Sequence, residues 1–425
     1  MEIILSKSII SKNILAFFMK ILIGSVAAIM LASGLFFAFH LPRTNNVQPM
    51  AAVNVSATVP EKGQAPRAEV LKTLQAPGDI EPQSQLGKIP DEVRGIYITG
   101  WVAGSPNLMV KVMAFIKREK INAVVLDIKD YSGYLSYRTT VAEAEKSGAH
   151  KELRYRYPNK LIKLFHDNGV YVIGRVTIFQ DTILAKAHPE WAMKNKSNGA
   201  LWKDRKGLSW MDPATKEVWD YNIAISNDAY ARGFDEINFD YVRFASDGDV
   251  NGIAYPNWDG TTPKSEVIAK FFAYLRSHLP DRVISADLFG LASINDDDLG
   301  IGQVIEDAYK YFDYICPMIY PSHYASGFLG YKNPAAHPYE IIVYSMEKAV
   351  EKHRKLSLEM TGSTRKLGRL RPWLQVFDLG ATYDTKRVNA QIKALKDVLG
   401  SPTSSSPYEG FLLWDPKVIY AAYKG

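Results

Sequence analysis

The feature that most constrains this 425-residue chain is an alternation. Between residues 93 and 420, short apolar runs at 94–100, 123–130, 171–179, 233–244, 283–291, 314–321, 371–378 and 410–416 read as strands. Helical patterns at 108–120, 159–168, 215–232, 264–279, 302–311, 337–354 and 385–399 separate them, and 417–423 is a closing turn or short helix. Glycines at 169 and 233 stop two of these helices, as the left-handed position after a last turn favours. Strand and helix in strict succession imply a parallel sheet, and eight such units imply closure into a single (β/α)8 TIM-type barrel of the α/β class. An open, doubly wound sheet is the competing arrangement. It would place a glycine-rich phosphate turn after the first strand, and Thr99-Gly100-Trp101-Val102-Ala103-Gly104 is a poor version of one.

The fourth run, GFDEINFDYVRF at 233–244, is the most informative. Period-two geometry puts Glu236, Asn238 and Asp240 on one face and Ile237, Phe239 and Tyr241 on the other. A polar face in a buried strand is costly unless its groups are paired or used. Catalytic groups of such barrels sit where the strands end at their C-termini. There the chain places Asp127, Lys129 and Asp130 on strand two, Arg175 on strand three, Asp240 and Arg243 on strand four, and Asp287 on strand five. Tyr320 and His323 close strand six, Gln375 and Asp378 strand seven, Trp414 and Asp415 strand eight.

Carboxyl groups converging from several strands suit glycosidic bond cleavage, which needs one carboxylate as nucleophile or base and one carboxylic acid. Asp240 is the expected nucleophile or base, with Arg243 and Lys129 as the cations that would keep it ionised. Asp287, in the apolar setting ISADLF, is the expected general acid, because desolvation raises a carboxyl pKa. Asp127, Lys129, Arg175, Arg243, Tyr320, His323, Asp378, Trp414 and Asp415 are the expected substrate-binding residues, with Trp101, Trp258 and Trp414 as sugar-stacking platforms. Glu236, one layer deeper than Asp240, is expected to brace a Lys or Arg inside the barrel. No metal and no cofactor is expected, since no His pair is spaced for a metal beside an acid. Acid runs at 247–249 and 296–298 leave a divalent ion as a further alternative. No G-x-S-x-G nucleophile turn is present.

Outside the barrel the composition changes. Residues 21–39 form an uncharged, mostly apolar run preceded by Lys7, Lys12 and Lys20, so residues 1–40 read as a transmembrane signal anchor with its basic flank in the cytoplasm. Cleavage of that segment would instead make the protein secreted; either way the barrel is expected outside the cytoplasm. Residues 41–90 are rich in Pro, Gln and Ala and read as a flexible linker with room for a short helix around 68–75, leaving 91–425 for the barrel. A net charge of +6 without a Lys/Arg block argues against nucleic acid as partner. The single Cys316 excludes an internal disulfide and, in its apolar run, reads as a buried thiol.

The motifs RGIY at 94–97, VVLDIKD at 124–130, FDEINFDYVRF at 234–244, SADLFG at 285–290, PMIYPSHY at 317–324 and GFLLWD at 410–415 resemble a bacterial family of inferred glycoside hydrolases. That family is a (β/α)8-barrel domain of unknown function, distantly similar to α-amylase-type barrels. The resemblance covers residues 93–420. It implies a nucleophile at Asp240, an acid at Asp287 and a third carboxylate at Asp378. Three positions depart from the amylase pattern: the acid is Asp rather than Glu, Asn238 replaces an Arg, and no His precedes Asp378. The expected activity is hydrolysis of an envelope or extracellular polysaccharide. A barrel that binds polysaccharide or scaffolds an envelope assembly without catalysis is the alternative.

Overall fold

The computed structural model describes residues 64–362, 365–403 and 406–425. Its eight barrel strands are β1 (Val93–Ile98), β2 (Ala123–Lys129), β3 (Tyr171–Thr177), β4 (Glu236–Asp240), β5 (Ile284–Phe289), β6 (Tyr314–Ile319), β7 (Trp373–Gln375) and β8 (Gly410–Trp414). All pair in parallel and in chain order. The ring closes where Val93 to Ile96 lie opposite Gly410 to Leu413. The barrel, not the open sheet, is the fold. The seventh strand is split: Arg369–Leu370 pairs with the start of β6, and Pro372, which has no N–H to give, interrupts it before β7. That interruption delays β7 to Trp373, and of the strand expected at 371–378 only 373–375 is formed.

A helix follows each of the first seven strands, and the chain after β8 forms turns only. Apolar side chains sort by strand parity. Val124, Leu126, Ile128, Val172 and Val176 face the helices, whereas Tyr97, Val125, Ile173, Cys316 and Trp373 fill the barrel. Burial pushes the Cys316 thiol well above its usual pKa, so it stays protonated and inert.

The polar face of β4 is used at two levels. At the deeper one, Glu236 takes two hydrogen bonds from Arg371 Nη1, at 2.9 and 3.0 Å, and one from Ser285 Oγ at 2.5 Å. The Arg371 guanidinium also lies 3.8 Å from the Tyr314 ring centroid. Glu236 thus braces an arginine inside the barrel, as expected.

Residues 64–90 differ from the expected flexible linker. Helix Gln64–Gln75 buries Val70 and packs on helices Pro106–Arg118 and Pro158–Asp167. Asp79 accepts hydrogen bonds from Asn159 N (3.2 Å) and Lys160 N (3.1 Å), satisfying free donors at the start of that second helix. Leu86 and Ile89 pack against the barrel interior, and Leu86 N donates to Asp235 Oδ1 at 2.6 Å. A segment poor in apolar residues is held here by a few anchored side chains, and it closes the N-terminal end of the barrel. The expected anchor at 1–40 lies outside the described residues. Among the described residues, no helix is long and apolar enough to cross a membrane.

Removing one member of a buried ion pair strands the other. Arg371→Met should therefore lower unfolding free energy by about 3–5 kcal/mol. The Arg371→Met/Glu236→Gln pair should recover much of that loss in urea titrations, and equal losses in both proteins would contradict it.

Candidate active site

At the C-terminal ends of the strands a cavity of about 460 Å³ opens, lined by side chains from β3 to β8 and the loops after them. Arg175 anchors it. Its Nη1 donates to Asp127 Oδ1 at 2.8 Å, while Nη2 and Nε donate to Asp240 Oδ2 at 2.5 and 3.1 Å. Burial alone would weaken the guanidinium's hold on its proton. Asp240 and Asp127 outweigh burial and keep Arg175 firmly charged. Asp127 in turn accepts the Tyr97 hydroxyl at 2.6 Å. Desolvation raises the Asp127 pKa despite its arginine neighbour.

Asp240 ends β4, and the next residue turns sharply. Tyr241 adopts φ 55°, a left-handed conformation that is strained for a bulky side chain, and its N–H donates back to Asp240 Oδ1 at 2.6 Å. Both carboxylate oxygens are thereby oriented, one by a backbone turn and one by Arg175.

Asp287 is held differently. It is 2% exposed. Its Oδ1 accepts hydrogen bonds from Trp373 Nε1 at 2.7 Å and Asn238 Nδ2 at 2.9 Å. Oδ2 has no hydrogen-bond partner among the described residues, and the side chain lines the cavity. Burial raises the Asp287 pKa well above the usual carboxylate range, and the neighbouring negative charge of Asp240 adds to this. Arg175 and the two donors pull the other way without reversing it. Two carboxyl groups therefore share one cavity in unlike settings, one ion-paired and one inclined to keep a proton.

The expected residues divide on this geometry. Arg175, Asp240, Asp287, Arg243, Tyr320, His323, Asp378 and Trp414 all line the cavity. Asp127 stands behind Arg175 rather than on the wall. Lys129 is turned away from it. The pairing of β2 with β3 shifts register between Asp127 and Lys129, which breaks the alternation that would have pointed Lys129 inward. Instead its ammonium bonds Asp181 at 2.8 Å over the Tyr221 ring, with both ionic side chains buried. Arg243 makes no ion pair with Asp240; the expected role of charge partner falls to Arg175. Asp415 accepts from Lys417 N at 2.8 Å and shapes the turn after β8. Asp378 is exposed at the rim and accepts from Tyr383 N at 2.6 Å.

Of the expected stacking platforms, Trp414 faces the cavity, stacked on Tyr97 with centroids 4.2 Å apart. Trp101 is 63% exposed beneath Arg154, and Trp258 packs edge-on to Phe244 and Tyr255. Wall residues that sequence reasoning missed include Trp373, Tyr241, Phe289 and Lys206. Strand parity could have found Trp373; nothing in the sequence sets Lys206, in the excursion after β3, over the barrel mouth. Among the described residues, no group of three or more His, Cys, Asp or Glu side chains is placed to hold a metal ion.

Comparison with solved structures places the chain beside the glycoside hydrolase domain of PgaB (BpsB) from Bordetella bronchiseptica. The two are 14% identical over 76% of this chain and 94% of that one, with a TM-score of 0.51, a likeness of fold. A hypothetical protein from Ruminiclostridium thermocellum is 37% identical over 48% of this chain and 98% of its own, with a TM-score of 0.42. An α-galactosidase from Thermus thermophilus, 13% identical over 79% of this chain and 60% of its own, has a TM-score of 0.46. No curated protein matches the chain significantly. One family profile matches residues 95–420, from β1 to the turns beyond β8, and the chain accordingly belongs to the family described as "Putative glycosyl hydrolase domain".

Proposed function

We propose that the barrel hydrolyses glycosidic bonds of an envelope or extracellular polysaccharide, with Asp287 as general acid and Asp240 as nucleophile or base. The observation that carries this reading is the contrast between the two carboxyl groups in one cavity: Asp240 paired with Arg175, Asp287 desolvated and pushed toward its protonated form. Asp287 Oδ2 is the atom from which the proton leaves, because Oδ1 is occupied by Trp373 and Asn238. As the glycosidic oxygen takes that proton, positive charge develops on the sugar, and the Asp240 carboxylate either adds to the anomeric carbon or deprotonates an attacking water. Trp414 and Tyr320 on the walls supply apolar faces for the sugar rings. The basic flank and apolar run of the first forty residues support export, with the barrel held outside the cytoplasmic membrane.

In a panel of polysaccharides incubated with the full chain, at least one should release new reducing ends. Asp240→Asn should lower kcat on it by roughly 10³-fold with an unchanged circular dichroism spectrum. Undiminished hydrolysis by that variant would rule out the assignment.

The raised Asp287 pKa fixes the sign of the pH profile. The acid form is needed, so activity should fall as pH rises through that pKa, above the usual carboxylate range. Asp287→Asn should remove this alkaline limb. It should lose activity on natural linkages by about 10²–10⁴-fold while sparing aryl glycosides whose leaving group needs no proton. Equal losses on both substrate types would contradict a general-acid role.

A further inference from the structure

We propose that Arg243 forms a subsite for an anionic substituent on the sugar, a carboxylate, sulfate or phosphate, so that the substrate is an acidic glycan; this rests on the hydrolase reading of the cavity. Three other buried arginine and lysine side chains of the barrel are neutralised by contact. Arg175 has Asp127 and Asp240, Lys129 has Asp181, and Arg371 has Glu236. Arg243 is also buried, 8% exposed on the cavity wall, yet no carboxylate comes within ion-pairing distance of it among the described residues.

Its position is built rather than incidental. The guanidinium carbon lies 4.7 Å from the Phe289 ring centroid, 4.8 Å from Trp210 and 5.3 Å from Tyr241. Nη1 donates to Phe244 O and Ser246 Oγ, both at 3.0 Å. Nε and Nη2 make no hydrogen bond to any described residue, and neither is sealed from the solvent of the cavity. The nearby acids are engaged elsewhere: Asp240 with Arg175, and Asp204 with Gln180 and Trp210. Asp247 acts on Arg243 only through the longer-range field.

A buried charge without a counter-charge is costly, and aromatic faces repay only part of that cost. The free Nε–Nη2 edge of a guanidinium is the planar fork that takes a carboxylate, sulfate or phosphate in two parallel hydrogen bonds. Lys206, exposed on the same cavity wall, adds a second positive charge at the mouth. A neutral sugar would leave that edge unanswered.

The test is binding, so turnover is not required. Full-length protein is titrated by calorimetry with matched pairs of methyl glycosides of glucose, galactose and mannose, each neutral sugar against its uronate, 6-sulfate and 6-phosphate. The acidic member should bind about tenfold tighter or better in at least one pair, the effect expected of charge-assisted hydrogen bonds, and the advantage should shrink with added salt. Which acidic member wins identifies the anion. Arg243→Gln should abolish the advantage, and Arg243→Lys should restore it in part. No acidic preference in any pair, or an undiminished preference in Arg243→Gln, overturns the proposal. A retained preference without hydrolysis of any acidic polysaccharide would count against the hydrolase reading and leave the anion subsite standing.

Discussion

One cation, Arg175, ties the site together. Its planar guanidinium reaches Asp127 with one nitrogen and Asp240 with two, so strands β2, β3 and β4 are locked at their C-terminal ends by charge-assisted hydrogen bonds. A lysine could not make these three bonds from one plane. Burying such a cluster is costly, and the cost is met only because every charge has a partner in contact. The same arrangement sets the electrostatics of the cavity. Asp240 carries the negative charge that faces Asp287, and that charge, added to burial, favours a proton on Asp287.

The barrel interior shows two uses of polar groups on the face of β4. Glu236 and Arg371 are wholly buried and neutralise each other deep in the barrel, where no ligand reaches. Asp240, four residues on, meets the cavity. Between them Asn238 links the layers, bonding Ser285 and Asp287 at 3.1 and 2.9 Å. In the amylase-like pattern this position is an arginine. Here the arginine contact with Asp240 comes from the adjacent strand, through Arg175, and leaves the Asn238 position free to bond Asp287.

Much of this was legible in the sequence because it rests on periodicity. Alternating strands and helices gave the barrel, and strand parity gave the layers of Glu236 and Asp240. What escaped depends on irregularities. The register shift after Asp127 turned Lys129 outward, the break at Pro372 shortened the seventh strand, and a polar segment at 79–89 proved to be the stopper of the barrel's lower end. Contacts across long sequence gaps, such as Trp373 on Asp287, follow from closure of the ring rather than from local pattern.

The central claim is that burial and the charge of Asp240 hold Asp287 toward its protonated form. Difference infrared spectroscopy of the aspartate carbonyl stretch, comparing the parent protein with Asp287→Asn at a pH just above the usual carboxylate range, tests it most directly. A protonated-carboxyl band present in the parent and missing from the variant is the predicted result. A parent spectrum in which Asp287 contributes only to the carboxylate bands would contradict the account.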